Sequence, residues 1–559
     1  MEPNAANFVP LSPVSFLARA AVVEPDRIAS VYGERRLTWR EVETRCRGLA
    51  SALRRRGLRT GQTVSVLAPN LPELLELQFA IPMAGGVLNT INLRLDAETI
   101  AYILDHGESR LVFCDAELTP LLEEAFASLG RRLPVVLLEA EAIPVEAGAE
   151  GGSVSYEAFL EEGDSEETFG PPEDEWQAIA LNYTSGTSGR PKGVVYHHRG
   201  AYLMALGTLV GWSLPRHPVY LSVVPFFHCN GWQHPWALAL VGGTMVFTRR
   251  LQPELLFAAI AREGVTHFGA APVVLSLLAA SEHAPAAPFD PPIQVLTAGA
   301  PPAPAILERT AALGLEVMQV YGLTETYGHV SHCLWREEWD SLPPAEQAEK
   351  QALQGVAFPV TEEFAVLDRS TGRPVPPDGA TQGEIAIRGN TVMKGYLKDP
   401  EPPRRPLRAV ISGPVMPRSS IRTATCKSAT VSRMSSSPGA RIFPRWKSRV
   451  SCTSTPPSRP RPLWPCPVKS GGRVLVPSSN CAPARTPTRR RSSPSASSAS
   501  LVSRCPRRLS LPNFPRPRPA RSRNSDCGSA PGSLPPIPPD PSLFPPARRA
   551  AYTPSNPPP

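Results

Sequence analysis

Residues 10 to 401 predict an α/β protein with mostly parallel, buried strands, and three features of the chain carry that prediction. Short apolar, strand-like runs recur from Val64 to Leu296. Segments with apolar residues at helical spacing separate many of them, the alternation expected of a parallel sheet covered by helices. After Gln354 the chain changes to shorter strands joined by Gly- and Pro-containing turns, which predicts a small β subdomain.

In chain order, Leu37 to Arg55 places Val42, Cys46, Leu49, Ala50, Ala52 and Leu53 at helical spacing behind a threonine cap, and Gly57 stops the helix. Val64 to Ala68 is a short strand, Pro72 to Met83 a helix, and Val87 to Ile91 the next strand. Further strands are expected at Leu111 to Phe113, Val135 to Leu138, Val219 to Val224, Thr244 to Phe247 and Ile293 to Leu296. The β subdomain begins with Phe364 to Leu367 and Glu384 to Ile387. No repeat at solenoid spacing is present.

At 559 residues the chain exceeds what one core supports. Its bulk composition averages two unlike parts. Residues 1 to 401 hold 30 Lys+Arg against 48 Asp+Glu, a net −18, whereas residues 402 to 559 hold 28 against 2, a net +26. The tail also carries 34 of the 67 prolines and no glutamate, and it sustains neither a helical nor a strand period. A largely disordered tail is expected at 402–559, after an N-terminal domain of two α/β subdomains at 10–355 and a small β subdomain at 356–401. Because the basic excess is confined to the tail, no nucleic-acid partner is expected; a basic RNA-binding tail is the competing reading. The ten cysteines form no CxxC pair, six of them lie in the tail, and neither a disulfide framework nor a zinc site follows. The N-terminus lacks the basic and apolar regions of a secretory signal, and no run approaches about 18 apolar residues, so the cytoplasm is the expected compartment.

Residues Tyr183 to Lys192 read Tyr-Thr-Ser-Gly-Thr-Ser-Gly-Arg-Pro-Lys. A polyphosphate needs unhindered backbone N–H groups, supplied by Gly186 and Gly189, hydroxyl donors, supplied by Thr184, Ser185, Thr187 and Ser188, and a cation, supplied by Lys192. Most Ser/Gly runs are plain surface loops, but this one follows the strand-like Ala178 to Leu181 and precedes Gly193 to His198. It is not a Walker loop, because Pro-Lys-Gly stands where that pattern wants Gly-Lys-Ser/Thr. The string resembles the phosphate loop of the adenylate-forming, AMP-binding enzymes, the superfamily of acyl-CoA synthetases, luciferases and peptide-synthetase adenylation domains. The resemblance covers about residues 10 to 401 and implies that superfamily's large N-terminal domain.

Four further segments match the family. Thr297-Ala298-Gly299-Ala300-Pro301-Pro302 follows a buried strand and offers small residues where adenine slides against backbone. In Gln319 to Thr326 the resemblance implies that Tyr321 stacks on adenine beside Gly322, that Thr324 touches the α-phosphate and that Glu325 ligates Mg²⁺; a hydroxyl donor suits phosphate and a carboxylate suits a hard cation. Pro225 to Trp232 resembles the segment whose histidine, here His228, sits by the acyl carboxylate, with Asn230, Gly231 and Trp232 following along the acyl tunnel. His228 is expected to orient or gate, since the attacking carboxylate is already ionised at neutral pH. Gly383 to Asn390 and Met393 to Tyr396 resemble the β-subdomain motif before the domain hinge, with an architectural role.

The implied reaction uses ATP, Mg²⁺ and CoA to activate a short- or medium-chain carboxylic acid through an acyl-adenylate. No carrier-protein segment follows, which favours an acyl-CoA synthetase over an adenylation domain. The Thr-Gly-Asp segment, hinge and terminal lysine that the family places after Glu401 do not appear in frame. In a frame shifted by one nucleotide, however, Ile421 to Thr425, Met434 to Phe443 and Asn513 to Ser525 can encode His-Pro-Asp-Gly-Tyr, Asp-Val-Ile-Ile-Ser-Gly-Gly-Glu-Asn-Ile and Glu-Leu-Pro-Lys-Thr-Ala-Thr-Gly-Lys-Ile-Gln-Lys-Phe. These are family-like motifs in the right order and in one frame. A frameshift near Pro402 is therefore expected, with the lost lysine at the position of Arg521. A nucleotide- or acyl-binding protein without turnover is the alternative reading, and another adenylate-forming ligase a further one.

Overall fold

The computed structural model describes residues 4–138, 153–184, 190–368, 370–376 and 381–399, with the backbone strand 407–411, all inside the first of the chain's two units, Met1–Val450. Ser185, Gly186, Thr187, Ser188 and Gly189 lie outside the described residues, as do Pro402, Arg521 and most of the basic tail.

Two large sheets carry the fold. The first runs Gly395–Tyr396, Lys192–His197, Ala178–Thr184, Val87–Thr90, Thr63–Leu67, Leu111–Asp115, Val135–Leu138, Val154–Ser155. It is parallel from Ala178–Thr184 to Val154–Ser155, and antiparallel across Lys192–His197 to Gly395–Tyr396. The second has nine strands, with Ile293–Thr297 between His267–Ala270 and Leu315–Leu323 in parallel register. Thr63–Leu67, Val87–Thr90 and His267–Ala270 are buried at every position, as parallel strands covered on both faces must be. This is the α/β, parallel-rich architecture the alternating pattern predicts.

The helix Trp39–Arg55 starts one residue after Thr38, whose side chain accepts from the Glu41 N–H while the Glu41 carboxylate accepts from the Thr38 N–H. Pro72–Met83 is buried around nearly its whole circumference, so its Glu76 needs a partner: both carboxylate oxygens accept from Arg45 Nε at 3.0 Å and one accepts from Tyr156 Oη at 2.8 Å. Both helices pack into one core with Phe79 edge-on to Trp236 at 4.6 Å.

Two expectations change. The strand predicted for Val219 to Val224 ends at Leu221, because Asn70 Nδ2 donates to the carbonyls of Ser222 at 2.8 Å and Val224 at 2.9 Å and draws the chain out of the sheet. In the small sheet, Thr361–Leu367 and Gly383–Gly389 are joined by a third strand, Leu407–Ile411, from the tail in which no strand period was found. The free edge of Gly383–Gly389 presents a row of backbone donors and acceptors, a template on which a five-residue Leu-Arg-Ala-Val-Ile run can pair without a longer pattern.

Candidate functional site

The strands Ala178–Thr184 and Lys192–His197 form a hairpin whose last register pair is Thr184 with Lys192, so both sit at the mouth of the loop they flank. Tyr183 Oη is 2.9 Å from His106 Nδ1, and the Arg190 guanidinium lies 5.4 Å over the Tyr102 ring, fixing both arms of the hairpin. The Lys192 ammonium stands 4.8 Å over the ring centroid of Tyr396. The same phenol donates from Oη to Glu325 Oε1 at 2.8 Å. Glu325 is 9% exposed and, among the described residues, has no cationic partner.

Backbone bonds make this arrangement a consequence of chain pairing. Met393 N–H donates to the Glu325 carbonyl at 2.9 Å, Lys394 N–H to Val195 at 2.8 Å and Leu397 N–H to Gly193 at 2.7 Å. The short strand Gly395–Tyr396 thereby joins the lysine strand to the turn bearing Thr324 and Glu325.

Beside this group opens a cavity of about 240 Å³ lined by His228, Trp232, Gly299, Gly322, Thr324 and His329, among others. Gly299 has φ +89 and nothing within 4 Å of where a Cβ would stand, so an open face follows the strand Ile293–Thr297, and Ala300 and Pro301 are exposed next to it. Gly322 is obligatory: a Cβ there would meet the Gly328 carbonyl at 1.9 Å. Tyr321 is half-buried, its ring 6.5 Å from Phe364, and burial pushes its phenol pKa up.

His228 and Trp232 reach the cavity through an unusual turn. Cys229, Asn230, Gly231, Trp232 and Gln233 all have left-handed φ, between 41° and 66°, a conformation that costs L-residues roughly 1–2 kcal/mol each. Buried hydrogen bonds hold it. Thr90 Oγ1 donates to the Phe226 carbonyl at 3.0 Å and accepts from Asn182 Nδ2 at 2.9 Å and Asn230 Nδ2 at 3.2 Å, while Tyr327 Oη donates to Asn230 Oδ1 at 3.2 Å. Asn230 and Gly231 thus shape the turn and are not among the residues lining the cavity. His228 is exposed to solvent in the cavity; enclosure by protein and the nearby Arg94 push its pKa down, by less than full burial would because water reaches the ring. The ring is neutral at neutral pH.

Among the described residues no group of three or more His, Cys, Asp or Glu side chains could hold a metal by itself. Glu325 nevertheless fits a magnesium ion, which is commonly bound by one or two carboxylates with phosphates and water completing its shell. The four described cysteines, Cys46, Cys114, Cys229 and Cys333, are free and buried. Among the described residues no helix is long and apolar enough to cross a membrane.

The family described as AMP-binding enzyme matches residues 17–397, more than half of the chain. The chain belongs to this family. It is 46% identical over 407 residues to a peroxisomal acetate/butyrate–CoA ligase of Arabidopsis thaliana, covering 71% of this chain and 72% of the relative. It is 46% identical over 409 residues to an acetate–CoA ligase of Humulus lupulus (71% and 72%), and 45% identical over 407 residues to a 2-methylpropanoate–CoA ligase of the same plant (72% and 73%). The fold is similar to the N-terminal domain of FACL13 from Mycobacterium tuberculosis, with TM-score 0.58 and 25% identity over 70% of this chain and 92% of that one. It is also similar to the anthranilate–CoA ligase AuaEII with anthranoyl-AMP, with TM-score 0.60 and 21% identity over 71% and 72%. With these relatives, the chain stands among the acyl-CoA ligases of the AMP-binding enzymes.

Within this AMP-binding chain the sequence missed three contributors. Tyr396 stood in a motif read as architectural, and only folding shows that it touches both Lys192 and Glu325. His329 lines the cavity because its strand pairs with Gly322, a relation between neighbouring strands that no local motif signals. Thr90 lies 140 residues from Asn230, with nothing in the intervening sequence to connect them.

Proposed function

We propose that this chain is built as an ATP-dependent, AMP-forming acyl-CoA ligase for a short- or medium-chain carboxylic acid. The observation that carries the reading is the meeting at Thr324: the cavity bearing His228 and Trp232 ends on the residue that adjoins Glu325, Tyr396 and Lys192. A carboxylate held in the cavity would face a phosphate held by the lysine side. At about 240 Å³ the cavity is below the roughly 300–1,000 Å³ of drug-sized ligand pockets, which suits a small acid. The acetate, butyrate and 2-methylpropanoate named for its relatives agree with that size.

In the first half-reaction the ionised acid oxygen attacks the α-phosphorus of ATP, and the bond to pyrophosphate breaks, leaving an acyl-adenylate. Thr324 would donate its hydroxyl to the α-phosphate, and Lys192, with the amides of residues 185 to 189, would neutralise the departing pyrophosphate. Tyr321 and the open face at Gly299, Ala300 and Pro301 would take the adenine. Glu325 would hold Mg²⁺, which supplies further charge neutralisation. His228 would orient the acid without removing a proton. In the second half-reaction the CoA thiol attacks the activated carbonyl and expels AMP.

The family match stops at residue 397, within a few residues of the charge and proline break, which supports an out-of-frame tail in place of a C-terminal domain. Under that reading the chain as written binds substrates but turns over poorly. The cytoplasm is our compartment for it, although the Arabidopsis relative is peroxisomal by name. The test is acid-dependent release of pyrophosphate from ATP by the frame-corrected protein, with acetate, butyrate and 2-methylpropanoate as the acids. Release that depends on one of them establishes the ligase; ATP binding without release under any acid leaves a binding protein.

A further inference from the structure

Glu325 is buried, accepts a hydrogen bond from Tyr396 and pairs with no cation among the described residues. Lys192 is half-buried and lies over the Tyr396 ring, with no carboxylate within ion-pair distance among the described residues. Opposite charges this close in a partly dry site attract strongly, and two flexible side chains left to themselves would close into a salt bridge. One phenol occupies both: its face meets the ammonium at 4.8 Å and its hydroxyl meets the carboxylate at 2.8 Å. Cation–π attraction and a charge-assisted hydrogen bond give each ion a partial partner that is easily exchanged for a ligand.

We propose that Tyr396 is a positioning residue that keeps Lys192 and Glu325 apart, so that the lysine stays available to polyphosphate and the carboxylate to its cation. The proposal rests on the functional reading above and adds a role that the strand-pairing motif does not require. Tyr396 is well placed for it. Its backbone belongs to the strand Gly395–Tyr396, which is hydrogen-bonded to the lysine strand, and the neighbouring Met393 N–H holds the Glu325 carbonyl. Spacer, lysine and carboxylate therefore move as one unit.

The test uses the 559-residue chain and calorimetric binding of a non-hydrolysable ATP analogue, measured in EDTA and again in Mg²⁺, with thermal unfolding to show that each variant is folded. Tyr396→Phe keeps the ring and loses the hydroxyl. Its affinity in EDTA should match that of the unsubstituted chain, while the gain in affinity on adding Mg²⁺ should shrink about tenfold, the scale of one charge-assisted hydrogen bond. Tyr396→Leu removes the spacer, so affinity should fall in EDTA as well, because Lys192 closes onto Glu325. The double variant Tyr396→Leu/Glu325→Gln should recover the EDTA affinity, since a neutral amide no longer captures the lysine. A purely structural tyrosine predicts otherwise: equal losses with and without Mg²⁺ in Tyr396→Phe, or no recovery in the double variant, would overturn the proposal. Failure of the unsubstituted chain to bind the analogue under either condition would remove the functional reading and this role together, an outcome distinct from binding that is indifferent to Tyr396.

Discussion

Lys192 owes its significance to what it does not touch. A half-buried ammonium with an aromatic face beneath it and no carboxylate beside it, among the described residues, is held ready for an anion. Lys192→Ala should weaken ATP binding by roughly 1–3 kcal/mol, the loss expected for one charge-assisted hydrogen bond. Titration calorimetry checks this, and unchanged ATP affinity in both Lys192→Ala and Glu325→Ala would remove the site assignment. Trp232 plays the corresponding part at the acyl end, its ring edge-on to His329 at 5.6 Å and packed at the position where a Gly269 Cβ would stand. Replacing it with glycine should open the cavity and move the preference of a frame-corrected enzyme toward longer acids. An unaltered chain-length profile would assign the limit to another wall.

At the scale of elements, the helix Trp39–Arg55 depends on its capping box, and Thr38→Ala should destabilise the protein by about 1 kcal/mol, read as a shift in denaturation midpoint at constant slope. The strands and turn around the cavity bring together His234, His267 and His329, all buried. Burial pushes the pKa of His267 down to about 4 and that of His329 to about 3, and lowers that of His234. These groups are neutral when folded but protonate near 6.5 when unfolded, so below that pH the unfolded chain binds more protons and stability falls. Their contribution is complete above pH 6.5 and is lost as pH drops toward the folded values, by about 2 kcal/mol for His329 at pH 5. His329→Phe should flatten the stability profile between pH 6.5 and 4.5 by about one proton, and an unchanged slope would mean that other groups govern it.

For the whole molecule, the large domain and the reaction are separable. The described residues contain the lysine–tyrosine–glutamate group and the cavity, and the family match ends at residue 397. Deleting one well-placed transition-state donor typically costs on the order of 10²–10³ in rate, and an out-of-frame tail would lack a moving domain as well. Thioester synthesis by the 559-residue chain should therefore be nearly absent. It should return when the frame is corrected just after Glu401, and vanish again when the lysine then encoded at position 521 is removed. Equal acyl-CoA production by the two proteins would refute the frameshift.

By itself the sequence determined which segments are helix and strand, because the helical and strand periods are local: Pro72–Met83 and Val135–Leu138 appear where those patterns lie. It also determined the family, since a glycine, hydroxyl and lysine string with the Tyr321 to Glu325 turn is a local chemical pattern. Tertiary structure decided what those patterns face. The end of the strand at Leu221 depends on Asn70, the left-handed turn at Cys229 to Gln233 on Thr90 and Tyr327, and the separation of Lys192 from Glu325 on Tyr396. Each joins residues at least 70 positions apart, where periodicity carries no information and only the hydrogen-bonding demands of buried polar groups select the partner.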